Sequence, residues 1–131
     1  RLTCGIYLLG ISNFVSFLKN TSGYRADLRR VEYGDERDTA MAMFLTKISP
    51  LTNIKNITKP MFIYQGENDP RVPLSESEQM VTTLKQNGVA VSYIRAKDEG
   101  HGLAKKANRD YIFAAMAVFL KKHLVGEGAI Q

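Results

Sequence analysis

Pro60-Met-Phe-Ile-Tyr-Gln-Gly-Glu-Asn-Asp-Pro-Arg-Val-Pro73 is the stretch on which the fold reading turns. Met61 to Tyr64 is a short apolar run entered after a proline, as expected for a strand buried on both faces of a parallel sheet. Gly66 ends it, and a polar loop from Glu67 to Pro73 follows. Ser75 and Glu78, three residues apart, predict a capping box that opens a helix. Met80, Val81 and Leu84 give that helix an apolar face, and Asn87-Gly88 predicts its end in a left-handed turn.

Working outward, Val89 to Ile94 alternates like a third strand and leads into a loop from Lys97 to Leu103. A last helix is expected near Asn108 to Leu124, with Ile112, Met116, Phe119 and Leu120 on one face and Gly126 as its stop. Upstream, Gly5 to Ile11 reads as a first buried strand. Phe14 to Pro50 reads as a helical excursion, with helices at Phe14–Leu18, Asp27–Tyr33 and Asp38–Lys47 broken at Ser22-Gly23, Gly34 and Pro50. Strands alternating with helices make one α/β layer structure with parallel strands and flanking helices.

The bulk properties bound the function. At 131 residues, 44% hydrophobic and 24% charged, the chain is one globular domain in size and balance. The net charge of +5 is locally mixed, with Arg25, Arg29 and Arg30 beside Asp27 and Glu32, and Lys105 and Lys106 near Asp98 and Glu99. A nucleic-acid partner needs a concentrated basic footprint, so none is expected. One cysteine and two histidines argue against a disulfide framework or a structural zinc, no apolar run is long enough to span a bilayer, and no metal or organic cofactor is implied. The sequence starts at Arg1 without a Met, which suggests a piece of a longer chain.

In an open parallel sheet, reactive groups gather where loops leave the carboxyl ends of strands. Here one such loop carries an acid, and the other, Asp98-Glu-Gly-His-Gly102, carries an imidazole. A right-handed crossover through the intervening helix makes the two strands neighbours, so an Asp–His pair can form above one sheet edge. Such a pair fixes the imidazole tautomer and stabilises the imidazolium formed when a serine gives up its proton. Acid before histidine, both after any serine, is the chain order of α/β-hydrolases.

The 60–73 stretch, Glu76-Ser-Glu-Gln-Met80 and Lys97-Asp-Glu-Gly-His-Gly102 together resemble the prolyl oligopeptidase family of serine peptidases. Gly10-Ile-Ser-Asn13 and Val31-Glu-Tyr-Gly-Asp-Glu-Arg37 resemble the acylaminoacyl-peptidase-like branch, and the likeness runs over nearly the whole chain. The resemblance implies that residues 1–131 are the C-terminal portion of an α/β-hydrolase catalytic domain acting on peptides, with Asp69 as triad acid and His101 as base. Asp69 rather than Glu67 takes the role because the family's acid immediately precedes a Pro-Arg-Val-Pro-like stretch. An esterase on the same fold and a non-catalytic interaction module are the competing readings.

The sequence contains no Gly-x-Ser-x-Gly elbow. Ser12 follows a strand, but it lacks the second glycine of an elbow, and no further strand separates it from the acid strand. The nucleophile is therefore expected upstream of Arg1, and the chain by itself is expected to be inactive. Arg71 reads as an anchor of the acid loop rather than a substrate contact, and His123 on the last helix as a structural residue or a surface partner of the helix's C-terminal dipole. Phe14, Phe17 and Phe44 fit pocket or core equally well. If Gly5–Ile11 is an interior strand of a larger sheet, its open edge should make the isolated chain self-associate.

Overall fold

The computed structural model describes residues 2–125. Three strands, β1 (Gly5–Leu8), β2 (Met61–Gly66) and β3 (Val91–Ala96), form a parallel sheet in the order β1-β2-β3. The helices are α1 (Phe14–Asn20), α2 (Gly23–Tyr33), α3 (Thr39–Ile48), α4 (Leu74–Gln86) and α5 (Lys106–Leu120). A 3-10 turn at Ile54–Asn56 precedes β2, and a π-helical turn at Lys121–Val125 follows α5.

β2 organises the core because both its faces are covered. Ile63 points into a cluster with Met80, Val81 and Leu84 of α4, together with Ile54 and Val89. Phe62 and Tyr64 point the other way, onto Ile112 and Phe119 of α5. Side chains of a strand alternate between faces, so this run of apolar residues serves two helical layers. The excursion helices make a third cluster, in which Phe17, Leu18 and Leu45 bury together with Val72 of the acid loop. Asn13 caps α1 by accepting from the N–H groups of Val15 and Ser16, and Asp38 caps α3 by accepting from Met41.

Several expected boundaries move. The first strand ends at Leu8 rather than Ile11, because Leu9 turns into the left-handed region at φ 52° and breaks the pairing. Nor is β1 buried on both faces: Ile6 and Leu8 are 39% and 43% exposed, on the side where α5 covers its neighbours. The Ser75–Glu78 capping box does not form. Pro73 occupies the cap position of α4, which places Ser75 inside the first turn, and Glu78 instead meets Arg95 of β3 at 3.0 Å. The third strand begins two residues late because the Val89 N–H is still bonded to the Leu84 carbonyl at the end of α4. Pairing then starts at Val91 opposite Met61 and runs through Ala96. The left-handed turn after Asn87 is as expected, with Gly88 at φ 76° and no side chain crowding it, so backbone freedom alone calls for glycine. α2 starts four residues before the expected Asp27, at Gly23, and α5 starts at Lys106. The expected stop at Gly126 lies outside the described residues.

Among the described residues β1 pairs on one side only, with β2, and carries exposed Ile6 and Leu8. The chain by itself is expected to associate through this edge. Light scattering across a concentration series should show a species larger than a monomer, and Leu8→Lys should shift it toward the monomer. A monodisperse monomer with protected β1 amides would contradict the edge mechanism.

Candidate active site

The two sequence-predicted residues meet. Asp69 Oδ2 lies 2.7 Å from His101 Nδ1, with the carboxylate fully shielded from solvent and the imidazole partly exposed. The acid loop builds the carboxylate's orientation from the main chain: Oδ1 accepts from the N–H groups of Arg71 at 2.8 Å and Val72 at 3.0 Å. Gln65, buried at the end of β2, donates to Oδ2 at 3.2 Å and to the Val72 carbonyl at 3.1 Å. With its lone pairs met this way, Asp69 takes the remaining donor from Nδ1–H of His101. The Nε2 lone pair is then free to accept a proton.

The base loop is held just as closely. Glu99, 2% exposed, accepts from the N–H groups of Ala104 at 3.1 Å and Lys105 at 2.9 Å and from Asn108 Nδ2 at 2.9 Å. It thus bridges the loop to the start of α5. The Asn108 amide, followed by the Lys105 and Ala104 N–H groups, holds its carboxyl below the ordinary range. Tyr64 of β2 donates to the Gly102 carbonyl at 2.9 Å, just beyond His101. Burial, followed by the negative charges of Glu99, Asp98 and Asp69, pushes this phenol up to about 12, so it remains a donor at neutral pH.

The two loops are tied together by backbone. Asn68 donates its N–H to the Glu99 carbonyl at 3.0 Å and its side-chain amide to the Lys97 carbonyl at 2.8 Å. Gly66 lies at the crossing: a Cβ there would sit 2.2 Å from the Gly100 carbonyl oxygen and 2.7 Å from that of Glu99. Only glycine permits this approach.

Beside His101 opens a cavity of about 420 Å³, walled by Leu9, Ile11, Phe14, Phe17, Tyr33 and Val72, with Arg29 and Arg71 also on its lining. Tyr33 packs against Phe14 and Phe17 at ring-centroid distances of 5.7 Å each. Phe14 and Phe17 are therefore both core and cavity wall. Phe44 is neither, being 53% exposed on α3.

Arg71 anchors the acid loop, but through its main chain: its N–H binds Asp69 and its carbonyl accepts from Thr21 Oγ1 at 3.0 Å. Its guanidinium lines the cavity and has no carboxylate partner among the described residues. Ser12 is fully buried. Its hydroxyl is engaged with Glu76 and Gln79, which removes it as a nucleophile for His101. His123 packs against Phe119 with its ring tilted at a centroid distance of 4.7 Å. Among the described residues no group of three or more His, Cys, Asp or Glu is placed to hold a metal ion, and no helix is long and apolar enough to cross a membrane.

Sequence reading missed Gln65, Glu76 and Glu99 as structural members of the site. The available signal was position: Glu76 three residues after a helix-starting proline, and Glu99 just ahead of the residues that open α5.

Residues 2–127 match the family described as the prolyl oligopeptidase family. The chain is 37% identical over 126 residues to dipeptidyl aminopeptidase BIII of Pseudoxanthomonas mexicana, covering 94% of this chain and 18% of that protein. It is 36% identical over 128 residues to dipeptidyl peptidase family member 6 of Caenorhabditis elegans, covering 95% and 17%. The fold is similar to part of a puromycin-hydrolyzing peptidase from Mycobacterium tuberculosis, with a TM-score of 0.85 at 24% identity over 94% of this chain and 18% of that one. It is likewise similar to part of the acylaminoacyl peptidase of Pyrococcus horikoshii, with a TM-score of 0.82 at 24% identity over 94% and 20%. The chain thus spans about a fifth of the length of these relatives.

Two outcomes are expected from the loop architecture. Gly66→Ala should destabilise the fold by about 1–3 kcal/mol, the usual cost of forcing a methyl into a packed site, readable as a lowered thermal midpoint. Glu99 has a folded-state pKa below its ordinary 4.5, so its contribution to stability is present above that value and is lost as pH falls through the depressed one. Exchange protection of the Ala104 and Lys105 amides should accordingly persist at neutral pH and be lost only as the pH falls through the depressed Glu99 value.

Proposed function

This chain belongs to the prolyl oligopeptidase family, and we propose that it supplies the acid and base of a Ser-Asp-His triad in a serine peptidase, with the nucleophile contributed by a segment outside this sequence. The observation that carries the reading is the 2.7 Å contact between His101 Nδ1 and a buried Asp69 already oriented by two main-chain N–H groups. In that role His101 Nε2 takes the serine proton as the hydroxyl oxygen attacks the peptide carbonyl. It then delivers the proton to the leaving amine, which departs and leaves an acyl-enzyme. Water attacks the acyl carbon next, giving a proton to Nε2, and the serine recovers it as the acid product leaves. Asp69 stays ionised throughout, holding the tautomer and countering the imidazolium charge.

The cavity beside His101 would receive a substrate side chain next to the scissile bond. Its aromatic and aliphatic walls suit an apolar residue.

The test uses the full-length protein that contains this chain. His101→Ala and Asp69→Asn should each lower kcat by roughly three to five orders of magnitude on peptide substrates, with the folded state retained by circular dichroism. Near-normal turnover in either variant would remove that residue from the triad. The 131-residue chain alone should neither hydrolyse peptides or activated esters nor become labelled by a serine-directed fluorophosphonate. Ester turnover without peptide turnover by the full-length protein would assign it to the esterases of this fold.

A further inference from the structure

Glu76 takes no part in the acid–base pair, yet its side chain is fully buried in the first turn of α4, and no Lys or Arg pairs with it among the described residues. Its donors come from the start of another element. Oε2 accepts from the N–H groups of Ser12 at 3.0 Å and Asn13 at 2.8 Å, and Oε1 accepts from Ser16 Oγ. Ser12 Oγ receives the Gln79 amide at 2.7 Å and gives its single proton to the Glu76 carbonyl at 2.8 Å or to Oε2 at 2.9 Å. The carboxylate therefore sits at the N-terminal ends of two helices, its own α4 and α1, where partial positive charge from unpaired N–H groups favours it. Burial, and after it the negative charge of Glu76, push the nearby Tyr7 phenol well above its ordinary range.

The placement has a geometric consequence. Glu76 lies three residues after Pro73, where the acid loop ends, so its position follows that of Asp69. Ser12 and Asn13 directly follow Leu9–Ile11, which walls the cavity at His101, and directly precede α1, which carries Phe14 and Phe17 on the same cavity. The wall's far end reaches the acid loop by other routes: Phe17 and Leu18 pack on Val72, and Thr21 and Ser22, past the end of α1, donate to the carbonyls of Arg71 and Pro70. One buried carboxylate thus sets the spacing between the acid loop and the near end of the pocket wall.

We propose that Glu76 is a positioning residue for the substrate side-chain pocket, holding the wall from Leu9 to Phe17 at a fixed distance from the acid loop and so deciding how well a large apolar residue is seated beside His101. The proposal rests on the triad reading above. Substrate seating is sensitive to displacements of an ångström, whereas the Asp69–His101 contact is built from β2, β3 and their own loops. Loss of Glu76 should therefore act on substrate selection more than on the proton transfer.

The experiment compares two peptide nitroanilides, identical except for Phe or Ala beside the scissile bond, in the full-length enzyme. Glu76→Ala should reduce the Phe-to-Ala ratio of kcat/KM about tenfold, mainly through KM for the Phe substrate. Glu76→Gln should bring the ratio back to within about twofold of wild type, because its amide oxygen can still accept from Ser12 and Asn13 while its NH2 donates to Ser16 Oγ. Should Glu76→Ala not fold, Ser16→Ala removes the Ser16 hydroxyl's bonds to Glu76 and Gln79 and is expected to lower the ratio by about two- to threefold. A ratio unmoved in these variants, or two substrates falling in parallel, overturns the proposal. So does a Gln variant no better than Ala. Failure of the triad reading would appear elsewhere, as residual turnover of both substrates in His101→Ala.

Discussion

A carboxylate taken out of water must be met by hydrogen-bond donors, and this chain meets three of them with pairs of backbone N–H groups. Asp69 takes those of Arg71 and Val72, Glu76 those of Ser12 and Asn13, and Glu99 those of Ala104 and Lys105. In each case the donors lie in a loop or at a helix start, where no secondary-structure partner would otherwise satisfy them. Burying the acid and ordering the loop are thus one event. Hydrogen bonds to a charged group are worth roughly 1.5–3 kcal/mol each, enough to hold a loop against the entropy of ordering a few residues.

These three clamps stand on the sheet. β2 is the only strand of the described residues paired on both sides, and its end delivers Gln65 to Asp69 while Gly66 lets the base loop pass within contact distance. β3 in turn delivers the base loop, which Asn68 fastens to the acid loop. The Asp69–His101 contact is therefore the outcome of backbone geometry, with little left to side-chain flexibility. Preorganisation of this kind supports the proton-transfer role proposed for the pair, since reorienting either partner at the moment of reaction would raise the barrier.

The cavity has a different construction. Its walls come from the excursion between β1 and β2, whose helices bury Phe17, Leu18 and Leu45 among themselves and touch the acid loop through Val72. Separating the parts in this way leaves the Asp69–His101 pair on strand ends and the cavity wall on helices. The shape of the cavity can then vary without disturbing the pair.

Local pattern in the sequence determined the parallel α/β layering, the three strands and their helices, and the two loops that carry Asp69 and His101. Those features depend on hydrophobic period, turn residues and connection handedness, all of which are short-range or topological. Tertiary structure alone decided the rest. Where β1 ends depends on a left-handed Leu9, and whether Ser75 caps a helix depends on how Asp69 and Pro73 set the preceding turn. Ser12 looked available beside a strand and proved to be buried beneath a glutamate 64 residues away. Glu76 reads locally as an ordinary polar residue because its donors, Ser12, Asn13 and Ser16, belong to a segment brought close only by folding, while Gln65 and Glu99 bond to nearby residues through loop conformations that hydrophobic pattern does not specify. A buried acid is recognised by what surrounds it, and that neighbourhood is a property of three dimensions.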